Sequence, residues 1–146
     1  MGVYSRFKKD SDGLRKLVTL LETTPSVRRQ KMIDVGMVED PEYTHRALEF
    51  IMTFEDILKM PDGELMEVLA EAPHAKIVAY AISKAPKEVQ DRFLKCAPIQ
   101  QRGDIRDFLD QEFGLREVGS GQLKLVSVAR DLEKRGIIAT KRIPVK

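Results

Sequence analysis

Six prolines, at positions 25, 41, 61, 73, 86 and 98, recur every 12 to 20 residues. A proline has no amide hydrogen and its ring collides with the preceding helical turn, so a helix accepts it only in its first turn. No long helix can therefore run through residues 25–98, and each proline opens a new short segment. The apolar residues between the breaks follow helical spacing. Leu14, Leu17, Val18 and Leu21 form the i, i+3, i+4, i+7 stripe of an amphipathic helix, and no stretch before residue 137 alternates as a strand would.

The chain reads in order as follows. A basic, flexible start over 1–11 leads to caps at Asp10 and Asp12 and the helix bearing the Leu14 stripe. Pro25 opens a second helix over 26–38, with Val27, Met32, Val35 and Val38 available for burial. Asp40-Pro41-Glu42 is a strong start signal, joining an aspartate N-cap, a proline at the first helical position and an acid in the first turn. That third helix runs through Tyr43, Ala47 and Leu48 to Ile51. Thr53 then offers a new N-cap with Asp56 three residues on, a short-chain capping box, while Ile51, Met52, Phe54 and Ile57 keep both sides apolar. A helix that stops and restarts between apolar groups joins two packed units, as a hinge or a corner.

Beyond it, Pro61, Pro73, Pro86 and Pro98 open four further helices, which turn Leu65, Val68 and Leu69, then Ile77 and Tyr80, then Val89, Phe93 and Cys96, then Ile105, Phe108 and Leu109 inward. A polar glycine-bearing connection over 114–121 leads to a longer helix with Leu125, Val128, Ala129 and Leu132, which Gly136 terminates. The last residues alternate apolar and polar and read as extended. The expected fold is all-α: an armadillo/HEAT-like right-handed stack of short helices over 12–52, a hinge over 53–58, a compact C-terminal helical domain over 59–138 with a charged helix at 98–112, and a tail over 139–146.

Charge is segregated. Residues 1–31 carry eight basic and three acidic side chains, residues 124–146 seven and two, and the middle ten and eighteen. Basic ends attract polyanions. Aromatic residues are not interleaved with the basic ones and no helix has a continuous basic face, so no specific nucleic-acid partner is expected. One cysteine excludes an intramolecular disulfide framework. No apolar run approaches the ~18 residues a membrane span needs, and the first residues lack the apolar core of a signal peptide. These features describe a soluble, intracellular-type chain.

Catalytic chemistry is not evident. His45 and His74 are isolated, without partners at metal-ligand spacing, so no metal is expected. Cys96 falls on an inner face beside Phe93 and reads as a buried, inert thiol. Gly119-Ser120-Gly121-Gln122-Leu123-Lys124 superficially resembles a phosphate cradle, but it lacks the Walker spacing and no strand precedes it. No enzyme and no cofactor are expected.

Distinctive charge lies on the helix over 98–112, where Arg102, Asp104, Arg106, Asp107, Asp110 and Glu112 take outward positions. Arg102 and Arg106 are four apart and Asp107 and Asp110 three apart, so each pair shares a face. Such a row is either a solvated face or a recognition surface for a partner of complementary charge.

Three segments together carry a family resemblance. They are Lys31-Met32-Ile33-Asp34 with Val38-Glu39-Asp40-Pro41-Glu42, then Ile51-Met52-Thr53-Phe54-Glu55-Asp56-Ile57-Leu58, and then Ala129-Arg130-Asp131-Leu132-Glu133-Lys134-Arg135-Gly136. In order and spacing the chain resembles the C-terminal portion of the bacterial flagellar motor switch protein FliG, over roughly residues 12–138. The resemblance implies a non-enzymatic component of the rotor at the flagellar basal body, cytoplasmic and peripheral at the inner face of the membrane. Implied partners are the stator's cytoplasmic loop, other switch-complex proteins and neighbouring subunits, with self-association through armadillo stacking. The implied activity is torque generation and switching of rotation direction.

Residue by residue, Asp107 is similar to the family's first acid on the charged helix, Arg116 to its second arginine, and Lys84 to a family lysine within one position. Arg102 lies near the family's first arginine, whose aligned position holds Gln100. Ile51, Met52, Thr53 and Phe54 stand at the family's hinge. Phe108 replaces a second acid, and Gly103 weakens the helix. The alternative is a FliG-like adaptor that binds another helical protein outside the motor, regulatory rather than torque-generating.

Overall fold

The computed structural model describes residues 3–144. Among them are ten helices and no strand: α1 (Val3–Lys9), α2 (Gly13–Thr23), α3 (Ser26–Glu39), α4 (Pro41–Phe50), α5 (Phe54–Lys59), α6 (Asp62–Glu71), α7 (Ala75–Ile82), α8 (Lys87–Cys96), α9 (Ile99–Leu109) and α10 (Leu115–Lys134). Pro41 occupies the first position of α4, and Pro25, Pro61, Pro86 and Pro98 are the N-caps of α3, α6, α8 and α9. The chain divides into two units. One runs up to Met52 and resumes at Lys141; the other spans Thr53–Thr140.

In the first unit, α1 packs on α2, α2 on α4 and α3 on α4. Its core holds Tyr4, Leu14, Leu17, Val18, Leu21, Tyr43, Ala47, Ile51 and Ile143. The α4 cap forms as its sequence requires: the Asp40 carboxylate accepts from the Tyr43 amide at 3.1 Å. Three expectations change here. The start expected to be flexible over 1–11 contains helix α1, because Tyr4 is buried and its hydroxyl donates to the Met32 carbonyl. Residues 1 and 2 lie outside the described part. The tail over 139–146 is not extended strand; it turns through Lys141 in the left-handed region (φ 53°) and buries Ile143 in this core, with residues 145–146 again outside the described part.

The third change concerns α3. Val27, Val35 and Val38 are exposed, Val38 by 86%, and the helix instead approaches its neighbours at Gly36. A Cβ at Gly36 would lie 2.4 Å from the Thr44 hydroxyl and 2.5 Å from the Tyr4 ring. Met32 and Ile33 of the same helix pack against the core, and Gly36 permits the close approach there.

In the second unit, α7 packs against both α9 and α10, and α10 also touches α5 and α6. The core is built on Ile57, Leu65, Val68, Leu69, Val78, Ile82, Phe93, Ile105, Leu125 and Leu132. The connection expected over 114–121 is only partly non-helical. Helix α10 begins at Leu115, and the Gly119-Ser120-Gly121 stretch lies inside it. Gly121 is there for packing: a Cβ would come within 2.8 Å of the Ala81 nitrogen and the Ile77 carbonyl of α7. Gly136, at φ 78°, ends α10 in a Schellman motif, with the Ile137 amide donating to the Leu132 carbonyl at 2.9 Å and its own amide to Glu133 at 3.0 Å. No helix among the described residues is long and apolar enough to cross a membrane.

Candidate functional site

The proline punctuation has a consequence for the second unit. A proline after a helix supplies no amide to that helix's last carbonyls, and these acceptors must be satisfied by other means. Side chains from later helices do this. The Arg92 guanidinium of α8 donates to the Leu58 carbonyl at 2.8 Å and to the Met60 carbonyl, and pairs with Asp62 at 2.9 Å, closing the end of α5 before Pro61. Gln90 of α8 donates to the Ile82 carbonyl at 3.0 Å and Gln122 of α10 to Ala81 at 3.1 Å, closing α7 before Pro86.

The same pattern decides the role of Arg102. Its Nε donates to the Ala97 carbonyl at 3.1 Å and its Nη2 to Lys95 at 2.9 Å, so it closes α8 ahead of Pro98. The expected common face of Arg102 and Arg106 is therefore divided, with one guanidinium turned back onto the protein and the other outward. Arg92, Gln90 and Gln122 escaped sequence reasoning. A helix followed by proline signals the need for such a cap but not which distant residue supplies it.

Arg106, Asp107 and Asp110 are exposed at the end of α9, and Arg116 is exposed in the first turn of α10. Their side chains make no hydrogen bond or ion pair among the described residues. Two of them oppose their own helices: Asp110 is the C-cap of α9, where the dipole is negative, and Arg116 lies at the positive start of α10. Such placements cost on the order of 0.3–1 kcal/mol each. Phe108, between these charges, packs inward, its ring 6.0 Å from that of His74 with the Lys76 ammonium 5.9 Å from its centroid. His74 itself caps α7, its Nδ1 accepting from the Lys76 amide at 3.0 Å.

Lys84, in the turn after α7, stands apart from the α9 row. With Thr53, Phe54, Glu55 and Gln122 it lines a shallow depression of about 330 Å³. The expected joint residues divide between the units. Ile51 is buried in the core of the first unit at 8% exposure, and Met52, the last residue of that unit before the link, is 2% exposed. Thr53 opens α5, its amide and hydroxyl donating to the Asp56 carboxylate at 2.8 and 3.0 Å in a capping box. Phe54 packs on the buried Phe93, with ring centroids 6.1 Å apart. The segment expected as a hinge over 53–58 is thus mostly helix, and the non-helical link is confined to 51–53.

Burial pushes the Cys96 thiol above its ordinary value, with Asp62 adding to the effect, which makes it a poor nucleophile. No cluster of His, Cys, Asp or Glu suited to a metal ion occurs among the described residues.

Two helical units, with unpaired charges exposed at the end of α9 and the start of α10, define an all-α module. The FliG C-terminal domain family matches residues 37–139, and the chain belongs to that family. The flagellar motor switch protein FliG of Thermotoga maritima is 25% identical over 143 residues, covering 97% of this chain and 42% of that protein. FliG of Borreliella burgdorferi is 25% identical over 134 residues, covering 89% and 38%. The chain therefore spans about two fifths of the length of these relatives. Among solved structures, residues 86–343 of FliG from H. pylori superpose with a TM-score of 0.64 at 19% identity, covering 87% of this chain and 60% of that one. Full-length FliG from Aquifex aeolicus gives 0.55 at 23%, covering 87% and 40%. At these identities the structures support the all-α fold alone.

Proposed function

We propose that the chain acts as a non-enzymatic flagellar rotor and switch-complex component, with the charges at the end of α9 and the start of α10 meeting a stator's cytoplasmic loop. One observation carries this reading: Asp110 and Arg116 are exposed, unpaired among the described residues, and held where the helix dipoles disfavour them. Charge kept against local stability fits a surface serving an external partner. Arg106 and Asp107 extend the row. Arg102 belongs to it only as the residue that anchors the start of α9, and Lys84 serves the α5 side. Exposed charges of this kind set on-rate and specificity more than affinity, which suits a contact that forms and breaks repeatedly.

On this reading, Ile51, Met52, Thr53 and Phe54 form the joint on which the armadillo-like unit turns relative to the charged domain during switching. Neighbouring subunits and other switch proteins meet the first unit, and the chain works at the inner face of the membrane without entering it. Reversing charge at Arg106 or Asp107 should impair swimming, and a reciprocal reversal in the stator loop should restore it. Normal swimming in every single and double reversal would remove the torque role.

A second reading is supported by α3, whose exposed Val27, Val35 and Val38 offer an apolar surface on the first unit. Here the chain is an adaptor for another helical protein outside the motor. Co-purification of switch and stator proteins favours the first reading; their absence alongside a different helical protein favours the second.

A further inference from the structure

Glu22 lies in the last turn of α2 and is 3% exposed. Burying a carboxylate costs several kcal/mol unless donors surround it, so a buried acid without a catalytic task implies a structural one. Its Oε2 accepts from the Met52 amide at 2.6 Å, a short charge-assisted bond bridging 30 positions of sequence.

The neighbouring amides show what that bond does. Ile51 donates back to the Leu48 carbonyl of α4 at 3.4 Å. Met52 donates to Glu22 of α2. Thr53 donates to Asp56 of α5 at 2.8 Å. Ile51 and Met52 are therefore tied to the first unit, and Thr53 to the second. Two carboxylates, one per unit, hold consecutive amides.

We propose that Glu22 is the positioning residue of the joint: of the two places where the chain passes between the units, Met52–Thr53 and Thr140–Lys141, it confines the first to the torsions that flank its peptide. With Glu22 in place, the first crossing turns only on the ψ of Met52 and the φ of Thr53, and the second crossing turns at Thr140–Lys141. Without it, Met52 and then Ile51 join the link, and the range of relative orientations widens. This inference rests on the joint reading above, but its test reads the chain alone and needs no flagellar partner.

The test is amide hydrogen exchange with 15N relaxation on the purified full chain and on E22Q, E22D and E22A. The glutamine keeps an acceptor oxygen in place and should leave Met52 protected, whereas the alanine should raise Met52 exchange by about tenfold or more. Leu17 and Leu21 should keep their protection, while order parameters at Ile51 and Met52 fall. E22D, whose shorter carboxylate misses the amide, should reproduce the release and is read instead if E22A does not fold. Met52 protection unchanged in both E22A and E22D, or equal loss across the whole first unit, would overturn the proposal. A failed stator interaction with these exchange results intact would count against the motor reading only.

Discussion

Replacing Gly121 with alanine isolates how closely α7 and α10 approach. The added methyl would sit 2.7 Å from the Tyr80 Cβ, 2.8 Å from the Ala81 nitrogen and 2.8 Å from the Ile77 carbonyl. Two of these atoms are backbone, so no rotamer change relieves the contact and α10 must shift away from α7. Overpacking of this kind costs roughly 1–3 kcal/mol, with the higher end applying when backbone must move. Helix propensity pulls the other way, since alanine is better than glycine in a helix interior by about 1 kcal/mol. The net expectation is destabilisation by about 1–2 kcal/mol. Gly119, two residues earlier in the same helix, has no atom within 4 Å of an added Cβ. There only the propensity gain remains, so G119A should stabilise by up to about 1 kcal/mol. Urea unfolding reads both: the midpoint should fall for G121A and rise for G119A at unchanged slope. Midpoints that move in the same direction would show that α7 and α10 do not meet at Gly121.

Two further predictions follow from side chains already placed. R102A should cost about 1 kcal/mol, because a part-buried carbonyl (Ala97) and an exposed one (Lys95) at the end of α8 lose their donor, while R106A should leave stability within about 0.5 kcal/mol; equal effects in thermal unfolding would contradict the capping role of Arg102. Asp40 is held below the ordinary carboxyl value of 3.8 by its hydrogen bond from Lys8 and then by the Tyr43 amide, and Lys8 is correspondingly raised. A lowered carboxyl stabilises fully above its unfolded value and loses that contribution as pH falls through the lowered one. The acid limb of unfolding for the first unit should therefore be shallower in D40N, and an unaltered limb would dismiss the pairing.

Much of the fold was legible because local signals agreed. Asp40-Pro41-Glu42, the Thr53–Asp56 box and Gly136 each combine a cap residue with the backbone geometry it favours, and the structure contains all three. The exceptions have a common origin in tertiary contact. Gly119-Ser120-Gly121 looked like a loop because glycine is a poor helix former, yet the approach of α7 makes Gly121 the residue that fits. The valines of α3 were available for burial by spacing, but the helix turns Met32, Ile33 and Gly36 to the core instead, with Gly36 against Tyr4 and Thr44. Arg102 looked like part of a charged face because helical spacing places it near Arg106. The orphan carbonyls of α8, created by Pro98, claim it instead. Lys84 and Arg116 were drawn from a family pattern, and spacing alone did not foretell that Lys84 sits with Phe54 rather than with Arg106.

The central claim is that the exposed row Arg106, Asp107, Asp110 and Arg116 recognises a charged partner. Its most direct measurement is binding of the purified chain to a stator cytoplasmic loop across ionic strength, with D107R and a reciprocal reversal in the loop forming a double-mutant cycle. The account predicts weak binding that declines with salt, a loss of roughly fivefold in D107R, and recovery in the double reversal. Binding that ignores salt, with single and double reversals indistinguishable from the native pair, would contradict it.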